Sequence, residues 1–180
     1  MGDLPVEWRT LKDFPDLAEP VEDAETFAGN AALKAIHYSQ LANMLALADD
    51  SGLEVDALDG QPGVRSARYA GEPTNDQANN AKLIGALRDV PPKQRTARFR
   101  CAIALADGDE VLATAEGAIE GVIVDEARGD NGFGYDPHFW VPSSGMTTAQ
   151  MSPAVKNAIS HRGLALAALR PRLEVVIERL

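Results

Sequence analysis

The sequence predicts an α/β fold with a mixed β-sheet, and three observations lead to this prediction. Residues 96–106 and 110–124 alternate apolar and polar side chains around an Asp-Gly turn, which is typical of a β-hairpin. Residues 26–43 and 74–90 instead repeat their apolar side chains at helical spacing. Helical and extended segments follow one another along the chain, and this order favours the α/β class.

The first half of the chain divides into two helices and two short strands. Thr26 can cap the helix predicted over 26–43. The apolar residues 45–48 predict a short strand that ends at an Asp-Asp pair. After a Ser-Gly turn, residues 53–58 predict a second strand, closed by Gly-Gln-Pro-Gly. The helix over 74–90 is expected to end at two consecutive prolines.

The second half continues from the hairpin into a long loop and two helices. Residues 128–145 are rich in glycine, proline and aromatic side chains, so they predict an irregular loop of the kind that often carries function. Ser152 and Pro153 stand in cap-then-first-residue order for a third helix. Ser160 is a candidate cap for the last helix, in which we expect a break near Pro171.

Composition narrows the classes of function. The 180 residues, 45% of them hydrophobic, suit one domain with at most a small second lobe. No apolar run reaches the ~18 residues of a membrane helix, and the first residues do not resemble a secretory signal. The single cysteine, Cys101, lies in an alternating apolar run and is expected to be a buried thiol in a reducing compartment, so we expect a cytoplasmic protein.

The net charge is −10, which argues against broad binding to a nucleic-acid backbone. A small anionic ligand stays possible if local cations or a carboxylate-bound divalent metal offset that charge. An acidic surface that serves solubility is the ordinary explanation of the total.

Four short segments carry candidate chemistry, although each has an ordinary structural reading. Asp49-Asp50-Ser51-Gly52 can be a solvated turn or a cation site. The glycine-aromatic segment 132–136 can be a packed hairpin or a platform for a flat ring. Residues 156–163 can be surface charge with a helix cap or an anion site. The pair of Asn30 and Lys34, one helical turn apart, says little alone. Together the four segments suit a nucleotide, with carboxylates for Mg²⁺, cations for phosphates and an aromatic ring for the base.

Four ordered motifs, "TFAGNAALKA", "ADDSGLEVDALDGQPGVRSARYAG", "GFGYDPHF" and "KNAISHRGLAL", resemble the inosine/xanthosine triphosphate pyrophosphatase family from about residue 20 to about residue 170. The resemblance implies an elongated two-lobed α/β domain with a long mixed sheet, an active-site cleft between the lobes, and a homodimer. It also implies Mg²⁺-dependent hydrolysis of dITP, ITP, XTP and dXTP to the monophosphate and pyrophosphate.

The resemblance further implies roles for individual residues. Asp50 would hold Mg²⁺ and accept the proton, with Asp49 and Glu22 supporting the metal. The substrate-binding positions are matched by Ser51, Lys34, Phe133, Gly134, Tyr135, Asp136, Lys156, His161 and Arg162. Within that set the two lysines match positions that face phosphate, Phe133 to Asp136 match the segment that holds the base, and the His-Arg pair matches residues that contact its oxo edge.

One family segment has no counterpart in these 180 residues, namely an opening apolar strand followed by Thr-Gly-Asn, a nearby lysine and a glutamate in the next helix. A late start assignment, a shortened chain and a diverged member are all open explanations. We expect reduced stability and activity for the polypeptide as written, because a missing strand would expose sheet edges. The alternatives to an active purine pyrophosphatase are an impaired nucleotide-binding or dimerisation module, and a related pyrophosphatase acting on other modified nucleotides.

Overall fold

A computed structural model of the chain describes residues 3–179. The helices and strands, in chain order, are α1 (Phe27–Ala42), β1 (Ala46–Val55), α2 (Asp76–Ala86), β2 (Thr96–Asp107), β3 (Glu110–Ile123), β4 (Phe139–Val141), β5 (Met146–Thr147), α3 (Pro153–Ile159) and α4 (His161–Ile177). The α/β class predicted from the sequence is confirmed.

The five strands form one sheet in sequence order, β1-β2-β3-β4-β5. The sheet is antiparallel, whereas the sequence analysis expected a mixed one. Gly108, with φ of +57°, reverses the chain between β2 and β3. Strands β3 and β4 pair antiparallel, with Val122 opposite Trp140 and Ile123 opposite Phe139.

Strand β1 runs without interruption through the Asp-Asp-Ser-Gly segment, so the predicted turn at that point is wrong. The two strands predicted over 45–48 and 53–58 are one strand, Ala46–Val55, and residues 56–58 form a short 3₁₀ helix. Polar residues can occupy this strand because their side chains find partners; Ser51 Oγ, for example, accepts from Arg162 Nη2 at 2.9 Å.

The helix predictions are correct in kind and differ at the ends. Thr26 caps α1 by accepting from the Gly29 N–H at 3.0 Å. Helix α2 ends at Ala86, four residues before the predicted end, because Leu87 leaves the helical conformation with ψ of 3°. Helix α4 continues through Pro171 without the expected break. A proline inside a helix costs about 3 kcal/mol, and the buried Leu169 and Leu173 on either side help to offset it.

Contacts divide the chain into two compact units. The first comprises the described parts of Met1–Asp50, Cys101–Gly117 and Ala165–Leu180, and the second comprises Ser51–Arg100 and Ala118–Leu164. Each has its own apolar core. The core of the first unit contains Cys101, whose predicted burial is confirmed. Within the described range, no helix is both long and apolar enough to cross a membrane.

Candidate functional site

In the first unit, four side chains form a hydrogen-bonded group that we name the Asp50 cluster: Glu22, Asn30, Lys34 and Asp50. Lys34 Nζ donates to Asp50 Oδ1 at 3.0 Å and to Glu22 Oε2 at 3.1 Å. Asn30 Nδ2 donates to Asp50 Oδ2 at 3.1 Å, and its own Oδ1 accepts from the Ala24 N–H at 3.0 Å. Helix α1 positions this group because Asn30 and Lys34 lie one turn apart on the face that meets β1.

The Asp50 cluster contains two carboxylates and one ammonium group, so it carries an excess negative charge when all three are ionised. Burial raises the pKa of Asp50, and the Glu22 charge adds to that rise. The hydrogen bond and charge of Lys34 and the hydrogen bond of Asn30 offset it only in part. Burial alone would lower the pKa of Lys34, but the hydrogen bonds and charges of Asp50 and Glu22 outweigh it and leave that pKa raised. A carboxylate with a raised pKa is a better proton acceptor than an ordinary aspartate.

Asp49 and Asp50 are expected on opposite faces of β1. Successive side chains of a strand point to opposite faces, and Asp49 Oδ2 is 3.7 Å from Cys101 Sγ on β2. The structure therefore brings together two of the three residues expected to hold a metal, Glu22 and Asp50. The role of Asp49 at a metal stays a prediction.

The chemistry of the donor set determines which metal the Asp50 cluster suits. Across residues 3–179, no three His, Cys, Asp or Glu side chains converge closely enough to hold an ion by themselves. Mg²⁺ is commonly held by one or two carboxylates, with water and substrate phosphate oxygens completing the octahedron. Asp50 and Glu22, already neutralised in part by the Lys34 cation, fit such an incomplete site.

In the second unit, a group that we name the Asp136 cluster comprises Phe133, Asp136, Thr148 and Lys156. The Asp136 side chain is 4% exposed, and its carboxylate accepts hydrogen bonds on both oxygens. Its Oδ2 accepts from the Phe133 N–H at 2.9 Å and from Lys156 Nζ, and its Oδ1 accepts from Thr148 Oγ1 at 2.7 Å. Gly132 (φ +82°) allows the carboxylate to approach, because a Cβ there would overlap Asp136 Oδ2.

The glycine-aromatic loop divides its two aromatic side chains between solvent and core. Phe133 is 68% exposed, and Lys156 Nζ lies 5.3 Å from the centroid of its ring. Tyr135 is buried and donates its hydroxyl to the Ser66 carbonyl at 2.8 Å. Phe133 therefore offers a free ring face, whereas Tyr135 anchors the loop. Gly134 lies between them with φ of +60°.

His161 and Arg162 occupy the first turn of α4. The His161 ring stacks on Phe99 at 5.0 Å between centroids and 19° between planes. Arg162 Nη2 donates to Ser51 Oγ at 2.9 Å. Ser51 directly follows Asp50 in β1, so the guanidinium is hydrogen-bonded to the residue next to the proposed proton acceptor.

Several of these contacts are not predicted by the sequence. Asn30 was noted only as a partner of Lys34 on a helix face, and its hydrogen bond to Asp50 links residues 20 positions apart. No local signal marks Thr148 as a partner of Asp136. Asp76 and Asn80 of α2, which contact the Gly134 peptide groups, are separated from that loop by more than 50 residues and carry no motif of their own.

Comparisons with known proteins agree on one family. The profile of the Ham1 family matches residues 1–172. A dITP/XTP pyrophosphatase of Desulforamulus reducens is 55% identical over 157 residues, which cover 87% of this chain and 78% of that protein. One from Geobacter sulfurreducens is 52% identical over 170 residues, covering 94% and 85%.

Solved structures give the same result. A HAM1 protein from Coxiella burnetii has a TM-score of 0.87 and 40% identity, and covers 100% of this chain and 90% of its own. A protein from Mycobacterium abscessus, titled nucleoside-triphosphatase / dITP/XTP pyrophosphatase, has a TM-score of 0.77 and 43% identity, with coverages of 96% and 88%.

Proposed function

Because the chain belongs to the Ham1 family, we propose that it hydrolyses non-standard purine nucleoside triphosphates, dITP, ITP, XTP and dXTP, to the monophosphate and pyrophosphate. One structural observation carries the proposal. The Asp50 cluster holds two carboxylates around a single ammonium group, 13% and 36% exposed for Asp50 and Glu22, and so attracts a cation-bound polyphosphate. The proposed activity removes such nucleotides from the pool.

Mg²⁺ is the cofactor of this proposal, with Asp50 and Glu22 as its protein ligands and Asp49 as a predicted third. When bound, the ion supplies positive charge to the polyphosphate and acidity to water. The side chains of the Asp50 cluster supply orientation and further positive charge. The Asn30 amide orients Asp50 by its hydrogen bond, and the Lys34 ammonium, within hydrogen-bond distance of the carboxylate, provides a second positive charge for phosphate oxygens.

The reaction forms one bond and breaks one. The oxygen of water attacks the α-phosphorus, the bond between that phosphorus and the bridging oxygen breaks, and pyrophosphate leaves with the electron pair. The Asp50 carboxylate accepts the proton of the water, a role that suits its raised pKa. Lys156, whose position resembles one that faces phosphate, is the second proposed phosphate contact.

Base recognition is proposed for the second unit. Phe133 is exposed and presents its ring for stacking. The rest of the segment that resembles the family's base-holding one, Gly134 to Asp136, supports that ring through its own hydrogen bonds within the protein. The guanidinium of Arg162, with His161 beside it, donates to the 6-oxo group of hypoxanthine or xanthine. Arg162 has no acceptor, so the 6-amino group of adenine stays unpaired, at a cost of about 1–3 kcal/mol or roughly ten- to a hundred-fold in selectivity.

The decisive experiment measures pyrophosphate release from dITP, XTP, dGTP, dATP and dUTP with Mg²⁺, for the wild type and Asp50→Asn. We expect turnover of dITP and XTP at about ten- to a hundred-fold higher kcat/KM than dATP. Equal turnover of all five nucleotides, or preference for dUTP, would contradict purine specificity. ITP binding without turnover would favour a nucleotide-binding module instead.

Two further expectations belong to this proposal. We propose a homodimer, which the family resemblance implies, and a cytoplasmic location, which the single buried thiol of Cys101 suggests. Sedimentation velocity tests the first, and a single species at the mass of one 19.2 kDa chain would contradict it. Fractionation of the source cells tests the second.

A further inference from the structure

Two side chains of α2 bind both polar groups of one residue in the glycine-aromatic loop. Asp76 Oδ2 accepts from the Gly134 N–H at 2.7 Å, and Asn80 Nδ2 donates to the Gly134 carbonyl at 2.8 Å. Asp76 and Asn80 stand four residues apart, so they lie on one face of the helix. We name this pair of contacts the Gly134 clamp.

Gly134 directly follows Phe133, so fixing its backbone helps to fix the direction of the Phe133 ring. Its φ of +60° lies in the left-handed region, which glycine adopts at the least steric cost. Because glycine has no side chain, its backbone can also rotate out of that conformation more easily than that of any other residue. On one side the chain is anchored by buried Tyr135; on the other it carries Phe133, 68% exposed. Rotation about Gly134 would redirect the Phe133 ring, and two hydrogen bonds to the same peptide groups oppose that rotation.

A separate pair of hydrogen bonds fixes helix α2 to the segment that precedes it in the second unit. The buried Asn79 side chain accepts from the Ala70 N–H at 2.7 Å and donates to the Ala67 carbonyl at 3.0 Å. The helix therefore has a defined position from which Asp76 and Asn80 can hold the loop. Rigid support from a helix is what a binding side chain on a loop requires.

Asn80 also carries a feature that stability alone does not explain. Its Oδ1 is buried and finds no hydrogen-bond partner among residues 3–179. A buried acceptor without a partner is unfavourable, and such groups in native proteins call for an explanation beyond packing. The donation from Nδ2 to Gly134 supplies one, since a rotation of the amide that exposed its oxygen would break that hydrogen bond.

We propose that Asp76 and Asn80 are positioning residues for base binding: they act through Gly134 to hold Phe133 in the orientation that stacks on the purine. This inference rests on the proposed function, because it takes Phe133 as the base contact. It assigns a role to a helix outside the four motifs that identified the site.

The test compares KM and kcat for ITP with Mg²⁺ in Asp76→Ala and Asn80→Ala, each in the wild type and in a Phe133→Ala background. We expect each substitution to raise KM about five-fold, the effect of losing one net hydrogen bond, with kcat changed less. In the Phe133→Ala background the same substitutions should change KM by less than about two-fold, because positioning then has no ring to act on. Equal effects in both backgrounds would overturn the proposal.

The matched control is Asn75→Ala. Asn75 caps α2 by accepting from the Ala78 N–H at 2.9 Å, so its loss weakens the helix without removing the clamp. A KM increase as large as that of Asn80→Ala would mean that helix stability, not Gly134, is responsible. Asp76→Asn keeps an acceptor oxygen and should restore most of the wild-type KM; failure to do so would also contradict the clamp.

Hydrogen exchange separates this inference from the proposed function, since it needs no substrate. In the nucleotide-free protein the Gly134 amide should exchange several-fold faster in Asp76→Ala than in wild type or Asn75→Ala. Faster exchange in a protein that hydrolyses no purine triphosphate would support the clamp and overturn the proposed function. Unchanged exchange in an active enzyme would overturn the clamp alone.

Discussion

The Asp50 cluster and the Asp136 cluster are both built on a lysine–aspartate ion pair, but their charges balance differently. Asp136 meets one ammonium, one hydroxyl and one N–H, and is 4% exposed. Asp50 shares its ammonium with Glu22, and the two carboxylates are 13% and 36% exposed. A balanced, closed pair supports a loop, whereas an unbalanced, partly open one can still take up a cation.

The same difference assigns different roles to the two lysines. Lys156 neutralises a carboxylate that has little other access to positive charge. Lys34 lies between two carboxylates that solvent and cations can reach. Substitutions that remove a charge from one cluster or the other therefore test the comparison directly.

The largest effect is expected from Asp50→Asn. The amide keeps the size of the side chain but loses the negative charge and the proton-accepting oxygen, so turnover of dITP should fall about 10²- to 10⁴-fold. Steady-state pyrophosphate release measures this fall, with thermal unfolding as the check on folding. Asp49→Asn is the comparison on the opposite face of β1 and should lose less. A larger loss in Asp49→Asn would exchange the roles of the two aspartates.

The second effect is on stability, from Lys156→Met. Removing the ammonium leaves a buried Asp136 carboxylate without a cation, and the free energy of unfolding should fall by about 3–5 kcal/mol. Lys34→Met should cost less, because the carboxylates of its cluster are more exposed. Urea unfolding followed by circular dichroism compares the two variants. The comparison of the clusters fails if Lys34→Met is the more destabilising one.

The two clusters also differ in how far the sequence predicts them. The motif residues Lys34, Asp50, Asp136 and Lys156 were all identified in advance, but none of their pairings was. Pairing depends on which strand face each residue occupies, and the sequence analysis placed a turn at Ser51 where β1 continues. Periodicity predicted the long hairpin well because alternation there is strict. It could not place Thr148, since a buried hydroxyl partner leaves no pattern along the chain.

A third, intermediate effect is expected from Gly132→Ala compared with Gly60→Ala. The φ angle is +82° at Gly132 and +81° at Gly60, so alanine at either position adds a backbone strain of roughly 1–2 kcal/mol. Only at Gly132 would the new Cβ overlap Asp136 Oδ2; at Gly60 no atom of the described part of the chain comes within 4 Å of the added Cβ. The difference between the two unfolding free energies measures how tightly the Asp136 cluster is packed. Equal values would show that the carboxylate can move aside at no cost.

The smallest effect concerns cation binding to the Asp50 cluster without nucleotide. Lys34 Nζ lies 3.0 Å from Asp50 and 3.1 Å from Glu22, so it competes electrostatically with a metal for the same oxygens. Removing one charge at about 4 Å in water changes the interaction by about 1 kcal/mol, or roughly five-fold in affinity. Calorimetric titration with Mg²⁺ should therefore show tighter binding to Lys34→Met than to wild type. Lys12→Met removes an exposed charge elsewhere in the first unit and should leave the affinity unchanged. Weaker binding in Lys34→Met would contradict this competition. It would mean instead that the Lys34 ammonium holds the two carboxylates in the arrangement that binds the ion.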